Sequence, residues 1–583
     1  MECKSLNENL WKVLEADDKR VELISQRYDL PFIVSKIIAL RNILPEEVPN
    51  FLEPKIQNLL PNPYSLKDVE KASKKIASAI MNKEKIAIIG DYDVDGATSS
   101  ALMALFLEEC GINAEIHIPE REEGYGPSNT AFDNFAAMGV ILVITTDCGT
   151  SAHEPIAYAN SKGIEVIVID HHEAEVKLPS AYAIVNPKRL DEENLRSDLY
   201  LLSAVGVVFL TVVGINKKLR EAGFYKDKPE PNILNWLDLV ALGTVCDVVP
   251  LQGLNRAFVR QGLKVLAQRK NIGLKALIDK SGVKATPDTF HLGYVLGPRI
   301  NACGRVGDSQ LGNRLLRVKE DVQAQEIAEK MNKYNEERKE IEAYVLLNAI
   351  EILEGTPQEY PIAFVTGKDW HQGVIGIVAG KLKERYNLPS FVLSIEKDEV
   401  KGSARSVNGV DLGALIIAAK EKGILTKGGG HMMAAGFSLE ENKIEEFKQF
   451  VGRYVQEKLG NEKIVPVIEV DASLDLLGVT TELSERLSLL EPYGAGNREP
   501  MLMIRNVKIN RPKLVGSGHV SCFLSSANGG SLKSIAFRCA DTQMGKSLLN
   551  SNGECFNIIG NVRIDNWQGK NTTQFIIEDA MKE

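Results

Sequence analysis

The 583-residue chain lacks several patterns that mark whole classes of protein. No CxxC pair occurs among its eight cysteines, so a thiolate zinc site is not expected. The absence of GxxxxGK[ST] and GxGxxG elements argues against a P-loop hydrolase and a Rossmann dinucleotide site. No apolar run reaches the roughly 18 residues of a membrane span, and the amino terminus has no signal-peptide pattern. These absences predict a cytoplasmic protein with reduced thiols.

The net charge and the length of the chain limit its possible binding partners and its number of domains. The formal net charge is −9, which argues against a protein that binds polyanions indiscriminately. It does not exclude a nuclease, because metal ions can supply positive charge locally. The length exceeds what one hydrophobic core supports, so several domains are expected.

Four apolar runs each lead directly into acidic or histidine residues. They are KIAIIG (85–90) before Asp91, Asp93 and Asp95; VILVITT (140–146) before Asp147; IEVIVI (164–169) before Asp170, His171 and His172; and LDLVALGTVC (237–246) before Asp247. The first three runs are continuous and predict buried parallel strands. Ligand sites form beyond the carboxyl ends of such strands, so these motifs should converge. Like charges that close need cations, and the pattern predicts a cluster of two metal ions.

The run from Asp91 to Gly96 has two interpretations. It matches the first half of an EF-hand loop, but the twelfth position holds Leu102 instead of Glu, and a strand precedes it. A strand-to-helix turn is the better interpretation, with Gly96 relieving the backbone. Capping of the helix is expected from one hydroxyl residue among Thr98, Ser99 and Ser100. An ordinary capping or bracing role stays open for Asp91 and Asp95.

The kinds of side chain in the other motifs indicate which metal ion would bind. Asp147 is expected to bridge two ions, and the tandem His171–His172 offers imidazole ligands with Asp170 orienting a ring. A majority of oxygen ligands favours Mn²⁺ or Mg²⁺. Two such ions can hold a hydroxide and clamp a phosphate, with His172 steadying its charge.

Three further segments offer donors for phosphate oxygens. They are GPRINACGR (297–305) with Arg299, Asn301 and Arg305; GSARS (402–406) with Ser403, Arg405 and Ser406; and KGGGH (427–431), whose backbone N–H groups precede His431. Each segment taken alone could equally be a solvated turn.

The order of patterns predicts an α/β protein in several parts. A doubly wound parallel sheet is expected from about residue 85 to 186, followed by helices to about 350. A second α/β pattern covers 361–439. From about 465 the helical patterns stop, and about five short strands predict a small barrel of the OB type.

The motifs together resemble the DHH phosphoesterase superfamily and, within it, the RecJ family of single-strand-specific exonucleases. The resemblance covers nearly the whole chain. It is carried, in order along the chain, by FLEPKIQNLLPNP (51–63), GDYDVDG (90–96), EEGYGPS (122–128), VNP (185–187), VALGTVCDVVPL (240–251), GPRINACGR (297–305), WHQGVIGIVAGKL (370–382), GSARS (402–406) and EPYGAGN (491–497).

This resemblance implies a domain order. It comprises an N-terminal helical segment (1–80), a DHH catalytic domain (81–312), a connecting helix (313–355), a DHHA1 domain (356–460) and an OB-fold DNA-binding domain (465–583). The two α/β domains would face each other across a cleft that admits one strand but not a duplex.

The resemblance also implies an activity. A 5′→3′ exonuclease of DNA repair and recombination would release 5′-mononucleotides with Mn²⁺ or Mg²⁺, aided by a single-strand-binding protein and a RecQ-type helicase. The implied metal ligands are Asp91, Asp93, Asp95, Asp147, His171 and Asp247, with catalytic roles for Asp147, His171 and His172. Phosphates would be held by Arg299, Ser403, Arg405 and His431, beside the candidates Asn301, Arg305 and Ser406.

Two rival functions remain open at this point. The first is a DHH phosphodiesterase for short oligonucleotides or cyclic dinucleotides, although such proteins usually lack the barrel. The second is a binding-only scaffold that has lost its metal ligands, which the intact acidic set opposes.

Overall fold

The computed structural model describes residues 4–121, 123–396, 399–460, 465–565 and 572–583. The chain forms two compact units. Residues 1–297, 312–324 and 465–583 make the first unit, and residues 298–311 and 325–464 make the second.

The amino-terminal segment is mostly helical, as its sequence predicts. Its elements are β1 (Leu10–Val13), α1 (Asp18–Tyr28), α2 (Phe32–Leu40), α3 (Val48–Leu52), α4 (Ile56–Leu59) and α5 (Val69–Met81). The strand was not predicted. Trp11 Nε1 and Asn9 Nδ2 each donate to Asp579 at 3.0 Å, so this strand depends on a partner distant in sequence.

A five-stranded parallel sheet follows and carries the predicted doubly wound pattern. It comprises β2 (Ile86–Ile89), α6 (Val94–Glu109), β3 (Glu115–His117), α7 (Asn129–Ala137), β4 (Leu142–Thr146), α8 (His153–Ser161), β5 (Glu165–Ile169) and β6 (Ala183–Val185). The strand order is β3-β2-β4-β5-β6, and every pairing is parallel. The central strands are buried because their apolar runs are covered by helices on both faces.

Helices then continue to residue 355. They are α9 (Ala204–Glu221), α10 (Leu237–Cys246), α11 (Gly253–Ala267), α12 (Ile272–Lys280), a π-helix (His291–Leu296), α13 (Gly297–Val306), α14 (Leu311–Arg317) and α15 (Asp321–Gly355). The long helix predicted for 313–355 is present as α15, but it begins at Asp321, because residues 318–320 separate it from α14. One face of α15 buries Val345 and Ala349 against Trp370 and Val374, so that helix is not a fully solvated connector.

The second unit contains a mixed sheet. Its elements after α15 are β7 (Ala363–Lys368), α16 (Gln372–Tyr386), β8 (Ser390–Glu396), β9 (Glu399–Arg405), α17 (Leu412–Glu421), β10 (Lys427–His431), β11 (Ala434–Glu440) and α18 (Ile444–Leu459). The strand order is β10-β11-β9-β8-β7, with β7 and β8 parallel and the other pairs antiparallel.

The carboxyl-terminal part is a closed five-stranded barrel. Its elements are β12 (Val467–Val470), β13 (Ala472–Leu474), α19 (Thr481–Ser488), β14 (Leu502–Val515), β15 (His519–Ser526), β16 (Gly529–Ala536), α20 (Gln543–Leu549), β17 (Cys555–Asp565) and β18 (Thr572–Lys582). The order β14-β15-β16-β18-β17 closes through the β14–β17 pair, in agreement with the predicted OB-type barrel. The expectation that helices stop after 465 is wrong, since α19 and α20 cap this barrel.

A buried arginine joins the barrel to the helices of the first unit. Arg256 on α11 is 1% exposed, and its guanidinium donates to backbone carbonyls of Phe51, Leu490, Glu491 and Pro492 at 2.7–3.2 Å. Guanidinium offers five donors in a fixed fork, which suits several carbonyls at once. This contact fixes the EPYGAGN segment beside the start of α11, shortly after Asp247.

Within the described ranges, no helix combines the length and apolar character needed to cross a membrane. The seven cysteines in those ranges are all free thiols.

Candidate metal centre

Three parallel strands end at one edge of the first sheet. Strands β2, β4 and β5 are neighbours, and their interior residues are buried. Asp91 follows β2 after one glycine, while Asp147 and Asp170 directly follow β4 and β5. Because parallel strands share their carboxyl edge, these three side chains enter the same region.

The turn after β2 begins helix α6. The Asp93 carboxylate caps that helix by accepting from the Gly96 N–H at 3.0 Å. Gly96 is required for space, because an added Cβ would lie 2.5 Å from the Asp91 carbonyl oxygen. The turn therefore brings Asp91 and Asp93 close together.

The predicted capping by Thr98, Ser99 or Ser100 is wrong. Thr98 Oγ1 donates to the Val94 carbonyl at 2.8 Å, and Ser100 Oγ donates to the Gly96 carbonyl at 2.7 Å. Both hydroxyls lie inside the helix, where they bond back to the preceding turn. The cap is instead the Asp93 carboxylate, one residue before the helix, which accepts from the free Gly96 N–H.

Asp95 has a role that sequence reasoning missed. Its two carboxylate oxygens accept from the backbone N–H groups of Ala204 at 2.6 Å and Val205 at 3.0 Å. These groups open the 18-residue helix α9, whose N-terminus favours negative charge. Asp95 is thereby fixed by a contact 109 residues away, which no local pattern could reveal.

Asp247 reaches the site from a helix. The fourth apolar run forms α10, and Asp247 is its C-terminal cap. The following residue, Val248, has a left-handed backbone with φ of 61°, which is unfavourable for a β-branched side chain. This turn ends α10 at the sheet edge, where Asp247 Oδ2 lies 3.6 Å from His171 Nε2.

His171 stands among three carboxylates. Its Nε2 lies 3.4 Å from Asp147 Oδ1 and 3.9 Å from Asp95 Oδ2, besides the contact with Asp247. His172 Nδ1 lies 3.9 Å from the same Asp147 oxygen. Three groups have ligand atoms within 4.8 Å of one another and could each hold a metal ion: Asp147–His171–His172, Asp95–His171–Asp247, and Asp91–Asp93–Asp147.

Four of these carboxyls have raised pKa values. Burial, followed by the charges of neighbouring carboxylates, raises the pKa of Asp91 to about 8, of Asp95 to about 7 and of Asp247 to about 9. The same two causes raise the pKa of Asp147 well above its ordinary value. Without a cation, the cluster therefore holds on to protons at neutral pH.

Unpartnered oxygens test whether a metal fits. Asp91 Oδ1, Asp147 Oδ1 and Asp247 Oδ2 are buried and accept no hydrogen bond from the described residues. A buried carboxylate oxygen without a partner is costly. Divalent cations of the Mn²⁺ and Mg²⁺ type prefer such oxygens, with an imidazole acceptable to Mn²⁺. The donor set therefore fits two such ions.

The tautomer of His171 is set by the backbone. Its Nδ1 lies 3.2 Å from the Leu202 carbonyl, which accepts its proton and leaves Nε2 as a lone-pair donor toward the carboxylates. Burial, with the adjacent His172 charge, lowers the pKa of His171 to about 3. The ring is therefore neutral, as a metal ligand must be.

His172 is held in a different way. Although burial lowers its pKa, the 2.8 Å hydrogen bond from Nδ1 to Asp170 Oδ1 and nearby carboxylates raise it to about 9. Asp170 also accepts from the Thr150 and His171 N–H groups, so its oxygens are used in hydrogen bonds. Asp170 thus orients His172, and Nε2 of His172 remains for a substrate oxygen.

Two more residues brace the site and were not singled out from the sequence. Tyr125 donates its hydroxyl to the Asp147 carbonyl at 2.8 Å and lies 3.1 Å from His172 Nδ1. It supports Asp147 in a left-handed conformation with φ of 63°. Asn186 donates to the His172 carbonyl at 2.9 Å. Their only sequence signal was membership of the EEGYGPS and VNP motifs.

The first group of predicted phosphate donors lies in the second unit. Arg299, Asn301 and Arg305 are on helix α13, so this segment is not a turn. Arg299 Nε donates to Asn332 at 3.1 Å, and Arg305 donates to the Gly373 carbonyl at 2.8 Å. These contacts fix both guanidinium groups within their own unit.

The second group lies at the end of strand β9. Arg405 donates to Ser403 Oγ at 3.2 Å, and both adjoin Gly376, where an added Cβ would come within 3.2 Å of the guanidinium. Ser406 is 1% exposed and donates to the Val410 carbonyl at 2.7 Å. The structure therefore brings Ser403 and Arg405 together, while the buried hydroxyl of Ser406 bonds to the backbone of its own loop.

The KGGGH segment is an edge strand, not the solvated turn that its sequence alone left open. Residues Lys427–His431 form β10, which pairs with β11. An edge strand directs alternate N–H groups away from its partner, so donors remain available along it. Gly430 is required for space, because an added Cβ would lie 2.4 Å from the Ala434 carbonyl oxygen.

Three family profiles match the chain. The DHH family N-terminal domain matches residues 85–244, the DHHA1 domain matches 359–457, and the RecJ OB domain matches 470–579. The first match contains every candidate metal ligand except Asp247.

Curated relatives and a solved structure match over greater lengths. The single-stranded-DNA-specific exonuclease RecJ of Dickeya dadantii is 34% identical over 94% of this chain and 96% of its own. The Escherichia coli protein of the same name is 35% identical over 87% and 89%. The crystal structure of Thermus thermophilus RecJ in complex with Mn²⁺ matches with a TM-score of 0.82 and 25% identity, covering 98% of this chain and 79% of that one.

Proposed function

Because this chain belongs to the RecJ family of single-stranded-DNA-specific exonucleases, we propose that it hydrolyses single-stranded DNA from the 5′ end. The products would be 5′-mononucleotides, and the cofactor would be Mn²⁺ or Mg²⁺. The observation that carries the proposal is the set of three buried, unpartnered carboxylate oxygens in this cluster, on Asp91, Asp147 and Asp247. A binding-only scaffold has no need to keep such a costly arrangement.

The residues that would hold two ions are Asp91, Asp93, Asp95, Asp147, His171 and Asp247. Bound there, divalent cations supply a hydroxide at neutral pH and offset the charge that develops on the phosphate. Asp147 would help to hold both ions, since its carboxylate belongs to two of the three possible ligand groups.

Other side chains would orient the substrate and the ligands. His172, cationic and fixed by Asp170, would donate from Nε2 to a phosphate oxygen. Tyr125 keeps Asp147 in place through the backbone. In the second unit, Arg405 and Ser403 form a preassembled donor pair for a phosphate, with Arg299, Asn301, Arg305 and His431 as further donors. The hydroxyl of Ser406, the remaining candidate, is buried and donates to the Val410 carbonyl.

The barrel supplies a surface for the bases of the strand. Phe523 is 38% exposed on β15, and its cross-strand neighbours are Asn510 and Lys533. An aromatic face beside a lysine suits a base and its backbone phosphate, and OB folds use this combination.

We expect Phe523→Ala to raise the KM for long single strands about ten-fold, because one stacked base is lost. The kcat should not change, since Phe523 lies outside the metal centre. Steady-state digestion of oligothymidylate checks this, with Phe523→Trp as the matched control that keeps a ring. An unchanged KM in the alanine variant would remove the barrel face from the substrate path.

Strand selectivity and the rival function are tested with one set of substrates. Equal rates on a blunt duplex and on a single strand would contradict the steric selection of one strand. The rival phosphodiesterase predicts cleavage of short oligonucleotides alone, so an intact long strand would favour it. The barrel argues against that rival, because a short substrate needs no extended binding surface.

The proposal includes DNA repair and recombination as the setting and the bacterial cytoplasm as the location, consistent with the free thiols. Two partners follow from the substrate. A RecQ-type helicase would generate single strands, and a single-strand-binding protein would cover them. Co-elution of each purified partner with this chain tests the association.

A further inference from the structure

Two aromatic side chains stack on the surface of the first unit. Phe290 is 59% exposed and Tyr294 is 74% exposed, and their rings lie 5.2 Å apart between centroids at an angle of 27°. We call this pair the aromatic ledge. These two rings pack on each other and leave contiguous apolar surface exposed to water. Such contiguous apolar surface is typical of interaction sites.

The ledge is held rigidly at its amino-terminal end. Asp288 Oδ1 accepts from the His291 N–H at 3.0 Å and contacts its Nδ1 at 2.6 Å, which fixes the start of the π-helix. Thr289 donates its hydroxyl to the Tyr493 carbonyl at 2.7 Å. Thr289, two residues before the π-helix, is therefore tied to the segment that leads into the barrel.

The opposite face of the same π-helix packs against the helix that carries Asp247. Leu292 and Leu296 are fully buried, and the Leu292 carbonyl accepts from Cys246 Sγ at 3.4 Å. Cys246 immediately precedes Asp247. Gly297 allows this approach, because an added Cβ would lie 2.5 Å from that sulfur. Short π-helical turns occur frequently at functional sites.

We propose that the aromatic ledge stacks on a nucleobase of the substrate strand beside the metal centre. This inference rests on the proposed function. The ledge lies on a helix whose buried face contacts Cys246, the residue before the candidate ligand Asp247, and whose start is bonded to Tyr493 in the segment that leads into the barrel. A flat π-face accepts any base, which suits an enzyme without sequence preference. An aliphatic patch would not offer this.

The test combines ledge variants with abasic substrates. Phe290→Ala and Tyr294→Ala should each raise the KM for oligothymidylate about ten-fold, with kcat unchanged. An abasic site moved along the strand should raise the wild-type KM at one position near the cleaved end. With the abasic site at that position, the alanine variants should have the same KM as the wild type, because the base that would stack on the ring is already absent.

Three controls make the result decisive. Phe290→Tyr and Tyr294→Phe keep the rings and should behave as wild type. Phe32→Ala removes an exposed aromatic of the same unit, 52% exposed, and should leave KM unchanged. The wild-type abasic scan needs no variant, so poor folding of an alanine variant cannot hide the answer.

The inference is overturned if the wild-type scan shows no sensitive position, or if the alanine variants raise KM equally on intact and abasic strands. Self-association of the wild type that the alanine variants abolish would assign the ledge to a second copy of the chain instead. If the wild-type chain does not degrade single strands at all, the proposed nuclease function is wrong. A wild type that degrades them without a sensitive position contradicts only the stacking proposal.

Discussion

Replacing Asp147 with Asn should lower hydrolysis of single-stranded DNA about a thousand-fold or more, because it removes the carboxylate shared by two metal positions. The same change should raise the thermal stability of the metal-free protein at pH 8. Asp147 is 2% exposed, faces Asp91, Asp95 and Asp247, and has an oxygen without a hydrogen-bond donor. A neutral amide relieves that repulsion while it destroys the ligand.

A matched control exists in the same domain. Asp238 is also 2% exposed, and burial raises its pKa to about 7, but it lies at the other end of α10. Asp238→Asn should leave hydrolysis unchanged. Activity assays and thermal unfolding in EDTA measure both variants. An Asp147→Asn protein that is active, or that is less stable than wild type in EDTA at pH 8, would contradict the proposed centre.

The metal-free protein should lose stability as pH rises from 6.5 to 9. The pKa of Asp91 is raised from 3.8 to about 8 in the fold, so the folded state binds this proton more tightly than the unfolded state. Such a group contributes stability below its unfolded pKa and loses it as pH rises through its folded pKa. Asp91 alone should lose about 2 kcal/mol between pH 6.5 and 8.

Other groups in the cluster act in the same direction within this window. Asp95 and Asp247 have folded pKa values of about 7 and about 9, and that of His172 is raised to about 9. The pKa of His171 is lowered from 6.5 to about 3, so this residue makes stability increase with pH. That effect falls between pH 3 and 6.5, below the window used here. Above pH 6.5, the loss of stability caused by the raised pKa values is therefore observed without the opposing effect of His171.

Divalent cations should reverse this trend. Bound metal requires ionised ligands, so Mn²⁺ stabilises the fold more as pH rises. Thermal unfolding across this pH range, with EDTA and with Mn²⁺, measures both slopes. A melting temperature in EDTA that stays constant or rises with pH would show that the carboxyls do not repel one another in the fold.

Local sequence patterns were sufficient where burial alone decides the structure. The runs before Asp91, Asp147 and Asp170 are short, continuous and apolar, which favours buried strands, and parallel strands deliver their ends to one edge. The barrel was predictable for a related reason, since alternating residues in short strands need two sheets or a closed one.

Long-range backbone contacts were beyond this reasoning. Asp95 caps a helix that starts at residue 204, and Arg256 binds carbonyls of residues 490–492. In both cases a side chain bonds to backbone atoms. Nearly every residue type has these atoms, so the sequence does not indicate which residue provides them. The burial of Ser406 was missed for the same reason, because a short polar motif looks identical whether its hydroxyl faces substrate or a carbonyl.

The most direct test of the central claim is digestion of a single-stranded DNA of about 60 nucleotides, long enough to cover both the metal centre and an OB barrel. The strand is labelled at its 5′ or its 3′ end and incubated with Mn²⁺ or with EDTA. The account predicts immediate release of a labelled mononucleotide from the 5′-labelled strand, and no release in EDTA. An intact long strand in Mn²⁺, with cleavage only of di- to pentanucleotides, would contradict it.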